Sequence, residues 1–153
     1  MKVFVTGVNG QLGHDVMNEL AKRGYEGVGS DLAPEYSGVE DGSAVTKMPY
    51  VSLDITDADA VDKVITEVNP DVIVHCAAWT AVDMAEDDDK VEAVWMVNVG
   101  GTQNIANVAK KLDVPMVENV PLARGLYAKV KVGDVIPDEF FGPVAEVLAL
   151  VYQ

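Results

Sequence analysis

Residues 2–24 read "KVFVTGVNGQLGHDVMNELAKRG", and the reading of this stretch decides the fold. Lys2–Thr6 is a short β-branched run that stops at Gly7, the pattern of a strand buried in a parallel sheet. Gln11–Arg23 then carries Leu12, Val16, Leu20 and Ala21 at helical spacing, and Gly24 occupies the usual C-terminal position. Between the two lies Thr6-Gly7-Val8-Asn9-Gly10-Gln11-Leu12-Gly13, a G-x-x-G-x-x-G pattern. Gly7 permits the tight turn, Gly10 lets the backbone approach a pyrophosphate, and Gly13 lets the helix pack closely on the sheet. The amides that open the helix then face the phosphates. Three glycines alone say little. Placed after an apolar strand and before an amphipathic helix, they point to dinucleotide binding by Gly7, Asn9, Gly10, Gln11, Leu12 and Gly13.

Outward from this turn, strands and helices alternate. A second strand is expected around Glu26–Ser30, followed by a loop over residues 32–49 rich in Gly, Ser, Pro and acids. A loop of that length inside a compact domain is more often functional than accidental. Tyr50–Leu53 reads as a third strand, and Asp57–Val68 as a helix with Val61, Val64, Ile65 and Val68 on one face and Thr56 or Asp57 as its cap. Asn69-Pro70 stops that helix; Asp71–His75 is an apolar fourth strand, and a long helix runs from about Asp88 to Leu112. Val114–Val117 reads as a fifth strand. The expectation is an α/β fold: a three-layer, Rossmann-like, five-stranded parallel sheet of order 3-2-1-4-5 with right-handed crossovers and two C-terminal helices packed on it, all in one domain over residues 1–153.

Charge and composition exclude several classes of function. With 25 acidic against 11 basic side chains, the chain carries a formal charge of −14, a field that repels phosphate backbones and excludes nucleic acid as a partner. The densest charge run, Glu86-Asp87-Asp88-Asp89, reads as a solvated helix start, because consecutive carboxylates rarely converge on a metal. The single cysteine, Cys76, forms no internal disulfide, fits a reducing compartment, and reads as a buried structural thiol. No apolar run approaches the roughly 20 residues that span a bilayer, and no signal-peptide architecture opens the chain. A soluble, cytoplasmic-type protein without a membrane partner is expected.

Asp31 closes the second strand, 18 residues beyond Gly13. An acid at that point accepts hydrogen bonds from the adenosine ribose and disfavours a 2′-phosphate, which favours NAD over NADP as the cofactor. Asp54, after the third strand, falls where an adenine would lie.

Four motifs extend this reading: "TGVNGQLG" at 6–13, "LDITD" at 53–57, "PDVIVHCAAWTAVDMAE" at 70–86 and "VNVGGTQNIA" at 97–106. Together they make residues 1–117 resemble the N-terminal part of the extended short-chain dehydrogenases/reductases, the dTDP-4-dehydrorhamnose reductase group above all. The resemblance implies that Asp54, with Ile55, meets the adenine and that Ala77, Ala78 and Trp79 line the cofactor. It makes Asn98 a structural or relay residue and leaves His75 as a strand-end residue.

Catalysis in that family resembles general acid chemistry by a Tyr whose pKa a Lys lowers, assisted by a Ser or Thr. Here Val117 is followed by Glu118-Asn119-Val120-Pro121, and no serine or threonine occurs after Thr102. Tyr127 and Lys131 have the spacing that shares a helix face, yet only nine residues separate Val117 from Tyr127 and Lys131 falls at the helix end. The pair is read as chance, and no catalytic residue is assigned.

The segment "ENVPLARGLYAKVKVGDVIPDEFFGPVAEVLALVY" at 118–152 resembles the end of the cytoplasmic domain of the flagellar and type III secretion export-switch proteins, the FlhB/YscU family. That family's self-cleaving Asn-Pro-Thr-His motif does not occur, and Asn69-Pro70-Asp71-Val72 is not a version of it. Only Glu146 is charged in the last helix, so burial against the sheet or a partner is expected for it. These readings combine into an engineered chimera joined near 115–118, without native catalysis and with weak dinucleotide binding at most. The alternatives are an NAD(P)-dependent nucleotide-sugar reductase with an unusual end and a noncatalytic cofactor-binding relative.

Overall fold

The computed structural model describes residues 1–43, 45, 47–81, 90–117, 119–130 and 135–151, with the side chains of 123, 127, 150 and 151 excepted. The acidic run at 86–89, Glu118, Lys131 and Tyr152 therefore lie outside the described residues. The chain divides into two compact units, Met1–Val114 and Pro115–Gln153.

In the first unit, β1 (Lys2–Thr6) leads through the glycine-rich turn to α1 (Gln11–Lys22), then to β2 (Glu26–Asp31). After the long loop come β3 (Tyr50–Ser52), α2 (Ala58–Val68) and β4 (Val72–His75). All strands pair in parallel, in the order β3-β2-β1-β4. Alternation along β1 explains the layering. Val3 and Val5 pack with Met17 and Leu20 of α1 on one face, while Phe4 packs with Val61 and Ile65 of α2 and with Ile105 and Val108 on the other. Asp57 caps α2 as expected, its Oδ1 accepting from the amides of Asp59 at 3.1 Å and Ala60 at 3.0 Å.

Among the described residues four strands are found where five were expected, in the order 3-2-1-4. The apolar run Val114–Val117 is irregular, and its first two residues offer no donor to a ladder. The Val114 amide is spent on the carbonyl of Ala109 at 2.9 Å, closing the preceding helix through Asp113 at φ 55°, and Pro115 has no N–H.

The long helix is also interrupted. It is described as α3 (Val91–Trp95), a π-helical segment (Met96–Gly101) and α4 (Thr102–Lys111). Gly100 and Gly101 weaken the α-helix at this point, and Gly101 backs onto Ile55, whose Cδ1 a Cβ there would meet at 2.5 Å. Cys76, expected to be buried, is only half-buried at the end of β4.

In the second unit, α5 (Val120–Lys129) opens with Asn119 as cap, its Oδ1 accepting from the Leu122 amide at 3.0 Å, and with Pro121 in the first turn, where no N–H is needed. A short 3-10 turn (Asp138–Phe140) leads into α6 (Phe141–Val151). Gly125 leaves room for the Phe140 ring, which a Cβ would meet at 2.7 Å, and Lys129 pairs with Glu139 at 2.8 Å. None of the described side chains of α6 is fully buried, and Phe141 and Leu148 stand about half exposed.

Candidate functional site

The sheet order puts a topological switch between β1 and β4, because the chain leaves β1 for β2 and β3 on one side and returns to β4 on the other. Crevices at the carboxyl ends of strands bind ligands at such points. The glycine-rich turn sits there. Gly7 has φ +74°, and a Cβ on it would lie 2.6 Å from the Ala77 nitrogen, so the turn after β1 and the segment after β4 touch through bare backbone. A Cβ on Gly13 would strike the carbonyl of Gly7, so this glycine packs α1 onto the turn itself rather than onto the sheet. Gly10 is the cap residue of α1, and no side chain caps that helix start.

The other expected residues gather around the turn to different degrees. Asp31 accepts from the Asn9 amide at 2.9 Å through one carboxylate oxygen and from the Leu32 amide at 2.8 Å through the other. Its carboxylate is thus tied to the glycine-rich turn. Asp54 spends one oxygen on Thr56, at 2.9 Å to the amide and 2.7 Å to the hydroxyl. The Ile55 side chain is buried in the core and its carbonyl accepts from Asn104 at 2.9 Å. Ala77 is held at the end of β4, Ala78 is exposed, and Trp79 is half-buried with an indole N–H that has no partner among the described residues.

Asn98, in the π-helical segment, holds the Trp79 backbone from both sides. Its Oδ1 accepts from the Trp79 amide at 2.7 Å and its Nδ2 donates to the Trp79 carbonyl at 3.1 Å. Asn98 was expected as a structural or relay residue, and these two bonds are of the structural kind. Tyr127 lies within α5, and Lys131, its expected partner in spacing, is outside the described residues. Among the described residues no cluster of three or more His, Cys, Asp or Glu could hold a metal, and no helix is long and apolar enough to cross a membrane.

A family model described as the RmlD substrate binding domain matches residues 1–119. The chain belongs to that family. A second model, the FlhB HrpN YscU SpaS family, matches residues 94–151. The two overlap over 94–119, and the junction expected near 115–118 falls inside the overlap. The chain is 41% identical over 86 residues to the flagellar biosynthetic protein FlhB of Bacillus subtilis, covering 54% of this chain and 24% of that protein. Among solved structures, the WbmH enzyme of Bordetella bronchiseptica in complex with NAD+ is 31% identical with a TM-score of 0.60, covering 74% of this chain and 36% of that one. The dTDP-4-dehydrorhamnose reductase of Bacillus anthracis in complex with NADP is also 31% identical, with a TM-score of 0.56, covering 73% and 33%. The chain spans 24% to 36% of the length of the first curated relatives it matches.

In this RmlD-family chain, sequence reasoning missed two side-chain networks at the site. Asn9 and Ser37 clasp each other, Nδ2 to Oγ at 3.1 Å and amide to Oδ1 at 3.1 Å, which fastens the long loop to the glycine-rich turn. Thr6, His75 and Thr102 form a chain of contacts at 2.7 Å and 3.1 Å across the ends of β1, β4 and the start of α4. The second was within reach, since Thr6 and His75 both end strands at matching positions; the first depends on the path of an irregular loop.

Proposed function

We propose that the chain is an engineered chimera whose first unit keeps the dinucleotide-binding half of a short-chain dehydrogenase/reductase, and which has no native reductase activity. The observation that carries the binding half of this reading is the backbone-to-backbone contact of Gly7 with Ala77 beneath an uncapped helix start. That arrangement leaves first-turn amides for a pyrophosphate at the switch point. NAD is favoured over NADP. Asp31 is fixed at the end of β2, and the loop at 32–49 carries three acids, Glu35, Glu40 and Asp41, against one base, Lys47. The lack of any Ser or Thr after Thr102 supports the absence of reductase chemistry, as does the likeness of residues 94–151 to a different family.

Calorimetric titration with NAD, NADH and NADPH tests the binding. Weak heats with the NAD forms and weaker ones with NADPH are expected. No heat at about 1 mM cofactor, where a Kd of ~1 mM corresponds to about −4.1 kcal/mol, would overturn the binding half of the proposal. The family membership supports a second reading, an active nucleotide-sugar reductase. Turnover of a dTDP-4-keto sugar with NADH, abolished by Tyr127→Phe, would establish it and remove the first.

A further inference from the structure

We propose that His75 is a positioning residue for the wall of the cleft, held as its neutral Nε2–H tautomer between Thr6 and Thr102, and that its protonation releases residues 76–79. The inference rests on the dinucleotide-binding reading only for its consequence; the tautomer follows from donors and acceptors alone. Thr6 Oγ1 accepts from the amides of Cys76 at 3.1 Å and Ala77 at 3.2 Å. A hydroxyl has two lone pairs and one proton. With both amides accepted, the Cys76 one shared with the Thr6 carbonyl at 3.2 Å, the hydroxyl proton goes to His75 Nδ1 at 2.7 Å and leaves Nδ1 bare; Thr102, whose own proton goes to the Asn98 carbonyl, requires the same tautomer.

The ring proton is therefore on Nε2, which donates to Thr102 Oγ1 at 3.1 Å. Thr102 passes its own proton to the Asn98 carbonyl at 2.8 Å, and the Asn98 side chain grips Trp79. The network closes on itself: it starts at the Ala77 amide and returns two residues later at Trp79. Ala77, with Cys76, is where this segment meets the glycine-rich turn.

A second proton on the ring would sit on Nδ1 and face the Thr6 hydroxyl proton. Thr6 is fully buried and can accept from Nδ1 only by releasing an amide, either Cys76, which keeps the Thr6 carbonyl at 3.2 Å, or Ala77. No charge compensates among the described residues. The charged groups of β1 and of the residue before β4 are Lys2 and Asp71, both at the opposite strand ends: Asp71 accepts from the Lys2 backbone amide, and the Lys2 ammonium donates to the Val68 carbonyl at 3.0 Å and pairs with Glu26. The helical neighbours Asn98 and Thr102 are neutral, and Lys110 lies in the last turn of α4, where Lys111 is paired with Asp62 of α2. The remaining charges of α2 are Asp59, Lys63 and Glu67, and beside the ring burial pushes the Cys76 thiol up. Burial alone holds the ring below its ordinary 6.5.

The test is long-range ring-nitrogen NMR of the full chain across pH. The chain has two histidines, and His75→Asn assigns the signals while keeping an oxygen for the Thr6 hydroxyl; His75→Gln serves if that variant does not fold. Expected are an Nε2–H ring at neutral pH, a midpoint below 6.5, and Cys76 and Ala77 amide shifts that follow the same midpoint and vanish in the variant. An Nδ1–H ring, a midpoint at or above 6.5, or amides that ignore the titration would overturn the proposal. With NAD as probe, the Kd should rise below the midpoint by up to about tenfold per pH unit, the one-proton limit, and stay flat in His75→Asn. A pH-independent Kd in the parent chain also overturns it. Absence of NAD binding at every pH removes the dinucleotide reading, while the ring and amide signals still decide the role of His75.

Discussion

Gly7→Ala, measured against Gly24→Ala, separates two costs that a glycine can hide. Gly7 and Gly24 have nearly the same backbone, φ +74° and +71°, but a Cβ at Gly24 has nothing within 4 Å, whereas at Gly7 it lies 2.6 Å from the Ala77 nitrogen. The dihedral cost is shared: about 1–2 kcal/mol for an L-residue in the left-handed region. The reduced entropy of the unfolded chain offsets about 0.4–1 kcal/mol of it. Gly24→Ala should thus destabilise by roughly 1 kcal/mol or less. Gly7→Ala must in addition push Ala77 back to the ordinary contact distance of 3.4 Å, a shift of about 0.8 Å (3.4 − 2.6), which breaks the Ala77 bond to Thr6. Leaving that buried pair unmade costs about 1–3 kcal/mol more. In urea unfolding, both variants should keep the parental m-value, and the Gly7 variant should have the lower midpoint by about 0.5–1.5 M for an m near 2 kcal/mol/M. Gly42→Ala, at φ +74° with nothing within 4 Å, is a second control. Equal midpoints for Gly7→Ala and Gly24→Ala would show that the turn does not approach β4 and would remove the basis for a cleft at this point.

Three further outcomes follow from the same structure. Ser30 is fully buried and its hydroxyl has no partner among the described residues, so Ser30→Ala should raise the urea midpoint by an amount worth about 1 kcal/mol; a lowered midpoint would mean that the hydroxyl is bonded. Lys111 meets both oxygens of Asp62 at 2.7 Å and 2.8 Å, yet both side chains are about half exposed. A double-mutant cycle should therefore give a coupling of only about 0.2–1 kcal/mol that shrinks in high salt, and a salt-independent coupling would contradict the exposure. The depressed pKa of His75 makes stability complete above its unfolded value near 6.5 and lost as pH falls through the lower folded value. The exposed carboxylates Glu19 and Asp41 are themselves lowered from 4.5 and 3.8, so they lose their contribution only at more acid pH. Urea midpoints between neutral pH and about pH 5 should fall less in His75→Asn than in the parent, and identical slopes would assign the acid loss elsewhere.

The elements that were legible in sequence are those whose cause is local. β1 and α1 follow from a β-branched run, a helical spacing and a glycine at each end, and the cap of α2 follows from an Asp with two amides in reach. Val114–Val117 has the composition of a strand, but composition does not record that the Val114 amide is already spent on Ala109. The π-helical segment at Met96–Gly101 was hidden for a related reason. Adjacent glycines announce weakness, while the insertion itself is shaped by Ile55 and by the Asn98 bonds to Trp79.

The candidate site divides along the same line. Residue types and spacing sufficed for the glycine-rich turn and for Asp31, because a tight turn and a strand-end acid are requirements on single positions. The Thr6–His75–Thr102 chain joins residues 69 and 27 positions apart, and it exists because parallel pairing sets Thr6 beside His75. Register is a relation between strands that one strand's sequence does not contain. Given the register, counting lone pairs and protons fixes the tautomer of the ring without further information. Chemistry at this sheet edge therefore becomes readable only after topology, and the residue that the sequence offered as a plain strand end, His75, becomes the one whose protonation state the backbone of the cleft depends on.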